Sequence, residues 1–313
     1  MVPKAFVRQY AVSQQIDVPV ADQEIVLHYA LALLNEIDLV GVREDGGNPG
    51  PLLFKGGTAL RKCVFGSTGR FSQDIDLDAT AQHSYEEAIE EAVSSRRPYH
   101  GIAFKLDSFR YSTDGNFSGT IGYEHADGSG HFELQISYRL DPILEPVRLD
   151  LATQTYFKHV ECGVPVLFGI DPYEMIGEKI MACNRRGFGG SGKDVYDLFL
   201  WSQRPFDDRL VRRLAALKAW TDQRSKRRYD PEQFLAGIVP KSFRWTDIAR
   251  LVPRRHGTDH EAICSTVQAR FGFLADGTED EQTLVEDQTA HREHRLFGAL
   301  RREAHTWAGM VPR

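Results

Sequence analysis

"FKGGTALRKCVFGSTGRFSQDIDLDAT", residues 54–80, is the stretch whose reading decides the fold. Its last third sets Asp74, Asp76 and Asp78 at alternate positions around Ile75 and Leu77. In a strand successive side chains point to opposite faces, so this spacing gathers three carboxylates on one face and two aliphatics on the other. Two carboxylates about 5 Å apart repel by roughly 3 kcal/mol at an effective dielectric of about 20, so the array needs cations, solvent or a purpose. Upstream, "PLLF" reads as a short apolar strand, "KGG" as a turn that uses glycine's backbone freedom, and "TALRKCVF" as a helix begun by Thr58. The order is strand, glycine turn, helix, loop, strand.

On the N-terminal side, Asp22 to Leu39 has neither Gly nor Pro and repeats Leu27, Leu31 and Leu34 at helical spacing, a largely buried helix that "VREDGGNPG" ends. On the C-terminal side, "SYEEAIEEAVSSR" is an acidic amphipathic helix. The strands "GIAFKLDSFRYS", "FSGTIGYEH" and "HFELQISYRL" follow, with turns at "TDGN" and "ADGSG". "PVRLDLATQ" adds a strand that carries Asp150. After "GVPVLFGIDP" helices dominate, the first begun by Asp171 as cap, Pro172, and Glu174 closing a capping box. That helix turns Ile176, Ile180 and Cys183 to one face and Lys179, Ala182 and Arg186 to another. "KDVYDLFLW" opens the next, with Asp194 and Asp197 one turn apart. The fold class expected is α+β: a mixed sheet with flanking helices over residues 1–165, then a mainly helical part over 166–313.

At 313 residues and 42% hydrophobic, the chain is long enough for two domains. A net charge of −6 lacks the basic excess of most nucleic-acid binders, so any such site must be a local patch. Cys63, Cys162, Cys183 and Cys264 show no CxxC spacing, which excludes a zinc ribbon or redox motif and predicts reduced thiols. The sequence has neither an apolar run of membrane-spanning length nor a signal-peptide core, and a cytoplasmic protein is expected.

Carboxylates converging from adjacent strands can hold magnesium, which takes oxygen ligands and leaves positions for phosphate oxygens. An isolated DxD is more often a solvated acidic edge strand. Here Gly56 and Gly57 would let backbone N–H groups approach a triphosphate, Thr58 begins the helix behind them, and Ser72 lies on the approach to the carboxylates. Lys179 stands on a helix face without large aliphatics, as a triphosphate-binding lysine or a surface one would. Asp150 could simply pair with Arg148. No nucleophile elbow, P-loop lysine or HExxH is present.

Gly-Gly-Thr-Ala-Leu followed by Arg-Phe-Ser-x-Asp-Ile-Asp-Leu resembles the first motif of the nucleotidyltransferase superfamily, in the variant of the AbiEii/AbiGii-type toxin family. Glu178-Lys179-Ile180, with Arg185 or Arg186 nearby, resembles its lysine-bearing third motif, and Lys193-Asp194-Val195-Tyr196-Asp197-Leu198 its fourth. The resemblance implies Asp74 and Asp76 as a metal-binding pair, with Asp150 the third carboxylate on a neighbouring strand. Lys179 would contact the triphosphate and Asp194 would complete the catalytic set. Asp78 and Asp197 are expected to support these groups from behind. The cofactor implied is magnesium, two ions, with manganese as an alternative.

The second half adds a basic stretch, "RPFDDRLVRRLAALKAWTDQRSKRRYD", in which Arg209, Arg212 and Arg213 share one side of a helix. With Lys218, Arg224, Lys226, Arg227 and Arg228 it could track RNA phosphates, or be a solvated helix face. "ARLVPRRHG", with Trp245 close by, adds to the RNA reading. The resemblance thus implies transfer of a nucleotide from a nucleoside triphosphate to the 3′ end of tRNA, which blocks translation, by a toxin that an antitoxin neutralises and that is monomeric when free. The alternatives are the same chemistry on a small hydroxylated molecule, or a non-catalytic nucleotide- or partner-binding module.

Overall fold

The computed structural model describes residues 2–41, 50–80, 85–94, 97–112, 116–138, 142–186, 189–222 and 227–311. The turn "TDGN" apart from Asn116, most of "VREDGGNPG", and the basic residues Arg224 and Lys226 lie outside them. The chain divides into two compact units. The first comprises Met1–Asp141, Pro146–Ile170 and Arg250–His256, and the second Pro142–Glu145, Asp171–Ala249 and Gly257–Arg313. The main body of the first unit ends at Ile170, and two short segments are exchanged across the division. The class is α+β as expected.

The first unit holds, among the described residues, a seven-stranded mixed sheet: β1 (Leu52–Lys55), β2 (Asp74–Ala79), β3 (Ala103–Tyr111), β4 (Phe117–His125), β5 (Gly128–Ser137), β6 (Val147–Leu149) and β7 (Leu167–Gly169). Their order is β3-β4-β5-β2-β1-β7-β6. The acidic strand β2 is central, antiparallel to β1 and parallel to β5. Ile75 and Leu77 are fully buried, as are their partners Phe54, Leu134 and Ile136. That apolar face is why the strand forms, and it forces the aspartates to the other side.

Helices α1 (Lys4–Gln14) and α2 (Val18–Glu36) precede the sheet. α2 is buried over most of its length, and Gln23 Nε2 ties it to the sheet by donating to the carbonyls of Gln73 and His131, both at 3.1 Å. After β1, the helical turn α3 (Gly56–Ala59) runs into a π-helical segment, Leu60–Phe65, instead of the regular helix the sequence suggests. Arg61 and Lys62 in that segment are fully buried, Lys62 Nζ lying 3.1 Å from Glu24 Oε1 of α2. Arg61 donates to the carbonyls of Gly66 and Gly69. A buried pair of this kind costs several kcal/mol to break from one side, so it fixes the helix behind the glycine turn. α4 (Glu86–Val93) completes the unit's α-helices among the described residues.

The second unit is built from α5 (Pro172–Arg186), α6 (Gly192–Ser202), α7 (Asp208–Thr221), α8 (Pro231–Gly237), α9 (His260–Arg270), α10 (Glu279–Glu286) and α11 (His294–Ala308), with a two-stranded ribbon, β8 (Gly190–Ser191) and β9 (Phe243–Arg244). α7 packs against α5, α10 and α11. Asp171 caps α5, its Oδ1 accepting from Tyr173 N at 2.8 Å. Glu174 does not close the box. It is fully buried, and its carboxylate instead accepts from the main-chain N–H groups of Ile143 and Leu144, both at 2.9 Å. Among the described residues no helix is long and apolar enough to cross a membrane.

Candidate active site

β2 does present Asp74, Asp76 and Asp78 to one face, but the three differ. Asp78 is buried and its Oδ1 lies 2.5 Å from Lys55 Nζ, which also donates to Ser137 Oγ at 3.3 Å. Lys55 is the register partner of Asp76 across the β1–β2 ladder, so a buried cation lies on the face that carries the carboxylates. It offsets part of the repulsion between them. The sequence reading passed over Lys55; its signal was a lysine at the end of an otherwise apolar strand, immediately before Gly56.

Asp74 and Asp76 stay half-buried. Gly56, with φ +75°, lies directly against Asp76, and a Cβ built on it would overlap that carboxylate. Here glycine is required twice over, by the positive φ and by the close approach. A Cβ on Gly57 would lie 2.6 Å from Arg70 Nη2 and 3.1 Å from Ser72 Oγ. Thr58 Oγ1 donates to the main-chain carbonyl of Asp74, locking the turn to the start of the acidic strand. Gly56, Gly57, Thr58, Ser72, Asp74 and Asp76 thus converge, joined by Arg70, a buried guanidinium inside the motif to which no role had been given.

Asp150 is not part of this group. It follows β6, which β1 and β7 separate from β2, a lateral distance of roughly 14 Å at ordinary strand spacing. Its carboxylate is 74% exposed and pairs with Arg148 Nε at 2.9 Å. Its charge is felt at Cys63, whose thiol burial pushes up to about 12 against the pull of Lys62, with Asp150 adding to the rise. The acid that does neighbour β2 is Glu133, beside Asp74 in the parallel β2–β5 register. Its oxygens accept from Thr120 Oγ1 at 2.7 Å and Ser118 Oγ at 3.1 Å.

In the second unit, Lys179 is clasped by both acids of α6. Its Nζ lies 3.0 Å from Asp194 Oδ1 and 2.8 Å from Asp197 Oδ2, and all three side chains are nearly buried. Ser191 caps α6 by accepting from Lys193 N, which sets the helix start so that Asp194 and Asp197 project one turn apart. Lys179 is therefore no surface lysine.

The basic stretch behaves differently from its expectation. Arg213 is buried, with Nε 2.8 Å from Glu281 Oε1, Nη1 2.6 Å from Glu303 Oε2, and its guanidinium over the Trp307 ring at 4.7 Å. Arg212 Nε lies 2.8 Å from Glu281 Oε2. Backbone and arginine hydrogen bonds hold the Glu281 carboxyl below the usual range despite its burial. Lys218 is buried against Glu174 at 2.5 Å and Glu178 at 3.2 Å. Arg209 is exposed but stacked on Trp307 at 4.1 Å. Among the described residues no continuous arginine stripe faces solvent, because Arg212 and Arg213 pair with Glu281 of α10 and Arg213 also with Glu303 of α11. Arg227 is half-buried and Arg228 exposed. The later basic residues belong to the first unit, where Arg254 Nη2 pairs with Asp17 Oδ1 at 2.5 Å.

Among the described residues, no group of three or more His, Cys, Asp or Glu is placed to hold a metal ion. Magnesium does not need one, since it is usually bound by one or two carboxylates plus substrate phosphates and keeps several waters. Asp74 and Asp76, hard oxygen donors on one face of one strand, fit that ligand set.

The family model described as nucleotidyl transferase AbiEii toxin, type IV TA system, matches residues 39–284. Among solved structures, MenT4, a nucleotidyltransferase toxin from Mycobacterium tuberculosis H37Rv, matches with a TM-score of 0.78 at 26% identity, over 96% of this chain and 99% of that one. JHP933 from Helicobacter pylori matches with a TM-score of 0.48 at 16% identity, over 89% of this chain and 100% of that one, a likeness too slight to argue from. No curated protein matches.

Proposed function

The chain belongs to the nucleotidyl transferase AbiEii toxin family of type IV toxin–antitoxin systems, and from that premise we propose that it transfers a nucleoside monophosphate from a nucleoside triphosphate to the 3′ hydroxyl of tRNA. The family implies a triphosphate substrate and an antitoxin partner. The observation that carries the reading is the seating of Asp76 against Gly56, which sets a carboxylate pair beside a backbone turn whose N–H groups can donate to phosphate oxygens.

In this reading Asp74 and Asp76 would hold magnesium, or manganese, which when bound neutralises triphosphate and leaving-group charge. The N–H groups of Gly56 and Gly57, with Ser72, orient the phosphates, and Thr58 holds the turn in register with Asp74. By the family resemblance Lys179, kept in place within the second unit by Asp194 and Asp197, is the point charge that would meet the triphosphate. The acceptor oxygen bonds to the α-phosphorus, the bond between that phosphorus and the bridging oxygen breaks, and pyrophosphate leaves with the electron pair while the hydroxyl proton passes to solvent. A toxin gains most from an acceptor the cell cannot spare, and a nucleotide added to a tRNA end covers the hydroxyl that an amino acid would occupy. The reaction would take place in the cytoplasm.

One observation favours a small hydroxylated acceptor instead: Arg212, Arg213 and Lys218 are engaged inside the helical unit and do not form a phosphate-tracking surface. The test incubates the chain with labelled triphosphates, magnesium, and either total tRNA or a panel of hydroxylated small molecules, followed by mass analysis of tRNA 3′ ends. Added nucleotide on tRNA is the expected result; label on small molecules alone would remove the tRNA reading.

A further inference from the structure

The helical unit contains a concavity built on residues that the proposed chemistry does not use. It is a cleft of about 590 Å³ between α7, α10 and the segments around Tyr229 and Leu274. That volume is ordinary for a small-ligand site. Ala216, Leu274 and Val285 give it an apolar lining. Tyr229 also lines it, at 4% exposure, and among the described residues its hydroxyl has no hydrogen-bond partner. A hydroxyl on a cleft wall with no protein acceptor can donate to a ligand. Burial, with the charges of Asp230 and Glu281, pushes the phenol well above its ordinary pKa, so it remains a donor at neutral pH.

Two guanidinium groups share the lining. Arg212 uses Nε for Glu281, and among the described residues its Nη1 and Nη2 have no acceptor. Arg228 donates from Nη2 to Thr289 Oγ1 at 2.8 Å and is otherwise exposed. Glu232 and Glu286 add exposed carboxylates to the rim. Arginines and a tyrosine hydroxyl suit a phosphate, carboxylates accept from ribose hydroxyls, and the apolar lining takes a base. The same carboxylates repel an acidic peptide, the other anionic occupant the arginines could attract.

We propose that this cleft binds a nucleoside monophosphate unit, as a free nucleotide or as one residue of an RNA strand, with Tyr229 and Arg228 contacting its phosphate. The site does not depend on the strand-borne carboxylates.

The experiment titrates the full chain by calorimetry, in EDTA so that metal-dependent binding is silent, with AMP, GMP, CMP and UMP in one arm and a short single-stranded RNA in the other. Saturable binding is expected in at least one arm, about tenfold weaker in Tyr229→Phe and in Arg228→Ala, and unchanged in Asp76→Ala. Mononucleotide binding would identify a free-nucleotide site, and binding of the RNA alone would identify an RNA contact. Thermal midpoints confirm that both variants fold, Tyr229→Phe removing one oxygen and Arg228→Ala altering an exposed side chain. No binding in either arm, binding indifferent to both variants, or a hexaglutamate peptide that binds more tightly than the nucleotides with the same dependence on the variants, would each overturn the proposal.

Discussion

The acidic run of β2 and the basic run of α7 are both strings of like charge on one face of one element, and they are partnered in opposite ways. On β2, Lys55 pairs with Asp78, while Asp74 and Asp76 stand half-buried beside a glycine turn. On α7 the carboxylates of Glu174, Glu178, Glu281 and Glu303 take up Arg212, Arg213 and Lys218. Like charges in a row reveal an unmet demand for counter-charge. What meets it, a ligand or another part of the chain, depends on residues that can be 23 or 90 positions away.

The sharpest way to break this comparison is within the acidic run. Asp76→Ala should lower nucleotide incorporation by about a thousandfold or more, since it removes one of two carboxylates expected to organise the transition-state charge. It should act on the chemistry and leave the fold intact, Asp76 being only half-buried. Incorporation into tRNA and a melting curve on the same preparation check both halves.

Asp78→Asn should do the reverse. It leaves Lys55 buried without its carboxylate, a loss of about 3 kcal/mol in urea unfolding. The surviving folded protein should keep activity within a few-fold of the parent. If Asp78→Asn were as inactive as Asp76→Ala while fully stable, the division of the triplet would be wrong.

On the basic side the lever is pH. The folded pKa of Glu281 is depressed, so its contribution to stability is present above the ordinary glutamate range and is lost as pH falls through the depressed value. The gap in urea midpoint between the parent and Glu281→Gln should therefore be widest at pH 7 and close steadily between about pH 5 and 3. Arg213→Ala should be unstable at pH 7 and show the same convergence, with no change in tRNA affinity beyond what its folded fraction explains. A gap that widened on acidification would contradict the pairing.

How much of this was legible follows from which partners are local. The period-two pattern of "DIDLD" was sufficient to place three carboxylates opposite Ile75 and Leu77, and the glycine turn was legible because Gly56 and Gly57 adjoin the strand they follow. Lys179 meets Asp194 and Asp197 through two successive helices, so its motif survived as geometry within the second unit. Glu174 had a capping-box address but was drawn off by the main-chain amides of Ile143 and Leu144, which no local rule anticipates. The periodicity of α7 was correct too, yet periodicity names faces without saying which helix will cover them.

Asp150 shows the same limit from the sheet side, and yields the smallest effect. Alternation in "PVRLDLAT" correctly announced a strand, but strand order is a property of the whole topology, and β6 lies at the edge with β1 and β7 between it and β2. An aspartate 74% exposed and paired with Arg148 two residues away has a partner of the kind usually worth less than about 1 kcal/mol. Asp150→Asn should leave incorporation within about twofold and stability within about 0.5 kcal/mol. Kinetics over a range of magnesium concentrations would check this directly: a rise in the magnesium needed for half-maximal rate would show that the acid reaches the metal despite its place in the sheet, and would return the third carboxylate to Asp150.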